Sequence, residues 1–128
     1  TLGIIGLGAI GREVALRARG FGMRIVAHDP YVSPQSAADI HIELVSLDEL
    51  YRLADYITVH VASTPETFQM VNASAIAKMK SGVRFINCAR GELVNHDDLL
   101  AGLISGKVAA AALDVFDPEP LPKGHPLL

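Results

Sequence analysis

Gly6-Leu7-Gly8-Ala9-Ile10-Gly11 stands between an apolar run, Leu2-Gly3-Ile4-Ile5, and a helical-looking segment that begins Arg12-Glu13-Val14-Ala15. Strand, glycine turn and helix in that order form the setting of a dinucleotide-binding fingerprint. Each glycine has its own physical task. Gly6 permits a tight turn out of the strand, Gly8 keeps side-chain atoms away from an approaching pyrophosphate, and Gly11 lets the helix pack against the strand. The unpaired N–H groups at the helix start, reinforced by the helix dipole, then face the phosphates.

Glycine turns occur in many α/β proteins, so the reading leans on a second residue. Asp29 lies 18 residues after Gly11, at the end of another apolar run, Met23-Arg24-Ile25-Val26-Ala27-His28. An acidic residue about 20 positions on is placed to accept both hydroxyls of a ribose. The same carboxylate repels a 2′-phosphate, and no arginine follows in Pro30-Tyr31-Val32-Ser33 to offset it, so NAD is favoured over NADP. Asp before Pro is also a common turn residue, and that plainer role stays open.

The chain has 128 residues, half of them hydrophobic and a fifth charged, which is enough for one globular domain with a core. A net charge of −3 speaks against a surface built to neutralise nucleic-acid phosphates. The single cysteine, Cys88, excludes an internal disulfide and suits a reducing compartment. No secretory leader or membrane span is apparent, so a cytoplasmic protein is expected. The first strand starts at residue 2 and the chain stops in a Pro-rich tail, which reads as a domain cut from a longer polypeptide.

In order, a helix is expected from roughly Ile10 to Arg19, a second strand to His28, and a brief helical turn from Ser33 to Asp39. A short strand follows from Ile42 to Val45. Ser46 with Glu49 resembles a capping box for a helix to about Ala54, and Tyr56 to Val61 is a β-branched strand. Asn72 to Met79 reads as helix, Val83 to Asn87 as strand, and Asn95 to Ile104 as helix. Val108-Ala109-Ala110-Ala111-Ala112-Leu113 has helical propensity, yet its length and place in the alternation favour a strand. Alternation throughout predicts a Rossmann-type, doubly wound parallel sheet of about six strands between two helical layers. From Asp117 the prolines predict an extended, stiff tail.

Ligands on such sheets bind beyond the carboxyl ends of the strands. That rule gathers Gly6 to Gly11, Asp29, His60 to Ala62, Cys88 to Arg90, and Asp114. A guanidinium at Arg90 can fork onto a carboxylate, or it can be a surface arginine paired with Glu92. Asp114 reads equally as a loop cap, and Glu119 as solvated charge. Cys88 reads as a small packing residue, since no base lies near it in sequence. His28, His41 and His96 read as surface or loop residues, and His60 as a structural residue at a strand end.

The chain resembles the nucleotide-binding domain of the D-isomer-specific 2-hydroxyacid dehydrogenases. The resemblance is carried by Leu7 to Ala15, Phe21-Gly22-Met23, Asp29-Pro30, Ile57-Thr58-Val59-His60, Val83 to Gly91, and Ala111-Ala112-Leu113-Asp114-Val115-Phe116. It implies a catalytic arginine at Arg90, a catalytic glutamate at Glu119 and a nicotinamide-carboxamide partner at Asp114. It also implies cofactor contacts at Ala9, Ile10, Val61, Cys88 and Ala89, with Thr67 nearby. NAD and a small 2-hydroxy acid are the implied ligands, and a homodimer or larger assembly the implied state. Two departures stand out. Ala62 replaces a proline usual in the family, and the family's catalytic histidine falls beyond Leu128, because His125 matches an earlier segment. The resemblance also admits a NAD-sensing transcriptional corepressor, or a glyoxylate or hydroxypyruvate reductase. Asp29 speaks against NADP-using members of the last group.

Overall fold

Short apolar runs alternate with segments carrying helix-start residues, and a computed structural model describing every residue from Thr1 to Leu128 shows the elements they form. In chain order these are β1 (Leu2–Ile5), α1 (Ala9–Gly20), β2 (Ile25–His28), α2 (Pro34–Ala38), β3 (Glu43–Leu44), α3 (Leu47–Leu53) and β4 (Tyr56–Val59). There follow α4 (Ala73–Lys78), β5 (Val83–Asn87), a 3₁₀ turn at Gly91–Leu93, α5 (His96–Ile104) and β6 (Val108–Leu113). All strands are parallel, in the order β3-β2-β1-β4-β5-β6. This is the doubly wound order, and its reversal point lies between β1 and β4. The alanine-rich segment is a strand: Ala110, Ala111 and Ala112 pair with Arg84, Phe85 and Ile86, so sheet pairing overrides helix propensity.

Strand alternation divides the interior in two. Ile5, Val26, Ile57, Val59, Val83 and Phe85 pack under α3, α4 and α5, whereas Leu2, Ile4, Ile25 and Ala27 pack with Ala15, Ala18 and Ala37 of α1 and α2. Ser33, Ser46, Asn72 and Asn95 open α2, α3, α4 and α5, each accepting a backbone N–H from three residues on at 3.1–3.2 Å. Each such cap stabilises its helix by about 1 kcal/mol. The start of α1, at Gly8, has no side-chain cap and no acidic residue in its first turn.

Three expectations need correction. The fourth strand ends at Val59 rather than Val61, which puts His60, Val61 and Ala62 on the following loop. The tail is not extended. Its His125 N–H donates to the Pro122 carbonyl at 3.0 Å and its Leu128 N–H to the His125 carbonyl at 2.9 Å, closing turns. His96 is no surface residue: it opens α5, is only 9% exposed, and has Phe116 and His125 beside its ring. No helix is long and apolar enough to cross a membrane.

One core side chain carries an unmet polar demand. Tyr51 of α3 is 2% exposed and its hydroxyl has no hydrogen-bond partner. Burial, helped by the negative charge of Asp48, pushes its pKa up to about 12. Tyr51→Phe removes that desolvated hydroxyl while keeping the ring, and should stabilise the domain by about 1 kcal/mol in urea unfolding. A loss of stability instead would show that the hydroxyl is satisfied in solution.

Candidate active site

The turn after β1 is fixed by three neighbours. Gly6 adopts φ +94°, and a Cβ there would lie 2.7 Å from the His60 carbonyl oxygen. A Cβ on Gly11 would lie 2.1 Å from the Gly6 carbonyl oxygen, so the helix reaches the strand only because residue 11 has no side chain. The Leu7 N–H donates to Asp29 Oδ2 at 2.8 Å, and Arg12 Nε donates to the Leu7 carbonyl at 3.1 Å. The first helical bond runs from the Arg12 N–H to the Gly8 carbonyl at 3.0 Å, which leaves the N–H groups of Ala9, Ile10 and Gly11 unpaired within the helix.

Asp29 faces this turn from the end of β2. Its Oδ1 accepts the Tyr31 N–H at 2.9 Å, so the residue shapes a turn, and through Oδ2 it also braces the glycine corner. Each carboxylate oxygen retains acceptor capacity for a hydroxyl. Gly6, Gly8, Asp29, Val61, Ala62 and Thr67 line one cleft of about 490 Å³, together with His60 and Met70. A Cβ built on Gly8 would meet nothing within 4 Å, so the bare backbone opens onto free space where a diphosphate needs to approach. These residues fit a dinucleotide: an uncapped helix start for the diphosphate and an ionised acceptor for a ribose.

The loop after β4 forms the opposite wall. Thr67 Oγ1 donates to the Ala62 carbonyl at 2.7 Å and accepts the Thr64 N–H at 2.8 Å, tying down a segment that has Ala62 in place of proline. His60 is half-buried, with Nε2 3.0 Å from the hydroxyl of Thr58, itself only 4% exposed.

Cys88, Ala89, Arg90 and Asp114 share the same sheet edge, but beyond β5 and β6 rather than inside the cleft. With strands about 4.8 Å apart, Asp29 and Asp114 stand four strand spacings, roughly 19 Å, from each other. Cys88 is exposed rather than packed, and Arg90 is exposed too; the Arg90 Nη1 donates to the Ala89 carbonyl at 2.6 Å and does not pair with Glu92. Asp114 and Glu119 are exposed, and neither carboxylate has a hydrogen-bond partner. Sequence reasoning passed over Asn87, which organises this turn. It is fully buried; its Nδ2 donates to the Arg90 carbonyl at 2.8 Å and its Oδ1 accepts the Ala89 N–H at 3.0 Å. Its own carbonyl accepts the Asp114 N–H at 3.0 Å, linking the two turns. Gly91 completes the fit, since a Cβ there would lie 2.1 Å from the Phe116 backbone. The signal for Asn87 was its place at a strand end beside a candidate arginine.

Burial lowers the pKa of His60 below its ordinary value of 6.5, so the neutral ring is favoured in the folded state. A group with a depressed histidine pKa binds its proton more readily when unfolded. Its contribution to stability is therefore complete above pH 6.5 and declines as pH falls from there towards the folded value. His60→Gln should flatten the slope of stability against pH in that window, measured by urea unfolding at stepped pH. An unchanged slope would assign it to other groups.

Three kinds of likeness agree with this geometry. The family model for the D-isomer specific 2-hydroxyacid dehydrogenase NAD-binding domain matches residues 1–128. D-3-phosphoglycerate dehydrogenase of Rattus norvegicus is 51% identical over 120 residues, covering 94% of this chain and 22% of that protein. A glyoxylate reductase structure from Paecilomyes thermophila superposes with a TM-score of 0.91 at 42% identity, covering 98% of this chain and 38% of that one. A D-lactate dehydrogenase from Aquifex aeolicus, solved with NAD and lactic acid, gives a TM-score of 0.86 at 40% identity, covering 91% of this chain and 34% of that one. The chain thus spans about a fifth to two-fifths of the length of these relatives, and it belongs to the NAD-binding domain family of the D-isomer-specific 2-hydroxyacid dehydrogenases.

Proposed function

We propose that this chain is the cofactor half of a dehydrogenase that interconverts a D-2-hydroxy acid and its 2-oxo acid with NAD, 3-phosphoglycerate being the favoured substrate. The observation that carries the reading is the uncapped start of α1 beside the Asp29 carboxylate, the two opening onto one cleft. The likeness to the rat enzyme supports the choice of substrate. The likeness to the glyoxylate reductase keeps that activity as the second reading. The substrate domain and the acid–base histidine lie in polypeptide outside these residues. A cytoplasmic homodimer or larger assembly fits the lone cysteine and the family resemblance.

The N–H groups of Ala9, Ile10 and Gly11 bind the diphosphate, and Asp29 accepts the adenosine ribose hydroxyls. Val61, Ala62 and Thr67 wall the cleft, while Cys88 and Ala89 border the nicotinamide end. Asp114 takes the carboxamide N–H. When bound, the nicotinamide supplies the two-electron chemistry. Arg90 forks onto the substrate carboxylate and polarises the adjacent carbonyl. Glu119 accepts a hydrogen bond from the incoming histidine and favours its charged form, raising its pKa.

Titration of this chain with NADH, followed by calorimetry, should show binding; none at millimolar cofactor would remove the cofactor reading. Asp29→Ala should weaken NADH binding by about tenfold or more, since a charged acceptor is lost, and should narrow the preference over NADPH. Equal affinities before and after would overturn the ribose assignment. In the full-length enzyme, Arg90→Lys should cut kcat/KM by about a hundredfold, because an ammonium cannot reproduce a two-pronged contact. Unaltered kinetics would take Arg90 out of the site.

A further inference from the structure

Behind the cleft, the loop that forms its wall meets the turn that carries Arg90. Gln69 lies at the junction with φ +47°, a left-handed conformation that strains a residue of its shape. Its neighbours account for its persistence there. The Gln69 N–H donates to the Glu92 carbonyl at 2.8 Å, and its carbonyl accepts Asn72 Nδ2 at 3.0 Å. Its side-chain Oε1 accepts Asn95 Nδ2 at 3.2 Å.

Asn95 serves two elements with one amide. While Nδ2 reaches Gln69, Oδ1 caps α5 by accepting the Asp98 N–H at 3.1 Å. The backbone continues the seam. Val71 N–H donates to the Leu93 carbonyl at 3.0 Å and Asn95 N–H to the Val71 carbonyl at 2.9 Å, with Val71 and Val94 forming an isolated parallel bridge. On one side of this seam, Thr67 and Met70 line the cofactor cleft. On the other, the Leu93 and Val94 N–H groups bond to the carbonyls of Arg90 and Gly91 at 3.4 and 3.1 Å.

We propose that the Gln69–Asn95 amide pair is a positioning clamp, which sets the spacing between the cofactor wall and the Arg90 turn. Neither residue lines the cofactor cleft. Their effect is on register, so that a carboxylate gripped by Arg90 meets the nicotinamide at reacting distance. The inference rests on the dehydrogenase reading above. A left-handed residue persists at a loop junction where its surroundings fix it, and the amide pair is one of the contacts that do so.

The test uses the full-length enzyme and three variants. Gln69→Gly removes the side-chain acceptor and relieves the left-handed strain. Asn95→Ser keeps a helix-capping oxygen but is too short to reach Gln69. Gln69→Glu retains an acceptor for Asn95 Nδ2. The first two should bind NADH within about threefold of the parent and lose about tenfold or more in kcat, as misplacement of reacting groups does. Gln69→Gly should keep or raise Tm, and Gln69→Glu should recover most of kcat. If kcat stays within twofold in both disrupting variants, or falls only in step with Tm, the clamp is overturned and NADH binding leaves the dehydrogenase reading intact. A parent enzyme that fails to bind NADH would overturn both together.

Discussion

Two hydrogen bonds join the glycine corner to the end of the neighbouring strand: the Gly6 N–H donates to the His28 carbonyl at 2.9 Å, and the Leu7 N–H to the Asp29 carboxylate at 2.8 Å. The second of these ties the corner to a side chain rather than to backbone. With it, the corner and the carboxylate keep a fixed separation before any nucleotide arrives, and Arg12 completes the bracing through the Leu7 carbonyl. An ionised carboxylate only accepts, so each oxygen can take one backbone N–H and still receive a hydroxyl. Under the proposed reading, architecture and cofactor preference reside in the same side chain.

The helix starts differ in a way that favours α1 in the proposed placement of the diphosphate. Four helices each have one first-turn N–H capped by a Ser or Asn side chain of their own. At α1 the glycine that leaves open space beside the backbone also forgoes the cap, so the first-turn N–H groups remain available. Stability given up at one helix start is compensated by the two cores on either side of the sheet, to which β1 contributes Ile4 on one face and Ile5 on the other.

What could be read from sequence is what depends on near neighbours. The glycine corner, Asp29 and the strand–helix alternation follow from local spacing, and the alanine strand from its place in that alternation. The features that escaped are those decided across the chain. His96 reads as a polar residue at a helix start, and its burial depends on a tail some 20 residues further on, whose Asp117 carbonyl lies 3.2 Å from its Nδ1. Prolines in that tail correctly exclude a helix, yet they permit turns as readily as extension. Asn87 and Gln69 are ordinary amides until the turns around them are in place, and the left-handed backbone of Gln69 has no glycine to announce it.

The two ends of the site are prepared to different degrees, and this has a physical consequence. At the end proposed for adenosine, the Asp29 carboxylate is already braced by two N–H donors. At the end proposed for catalysis, the backbone is fixed by Asn87 and Gly91, but the Arg90 guanidinium rests on the neighbouring Ala89 carbonyl, and the Asp114 and Glu119 carboxylates have no partner. Exposed to water, these charges incur little desolvation penalty and interact weakly. Once a facing surface excludes water, the same groups attract a carboxylate and an imidazolium several-fold more strongly. Under the dehydrogenase reading, recognition of the nucleotide is thus built into this domain, whereas catalysis requires closure by a second surface that supplies both the dry environment and the missing counter-charges.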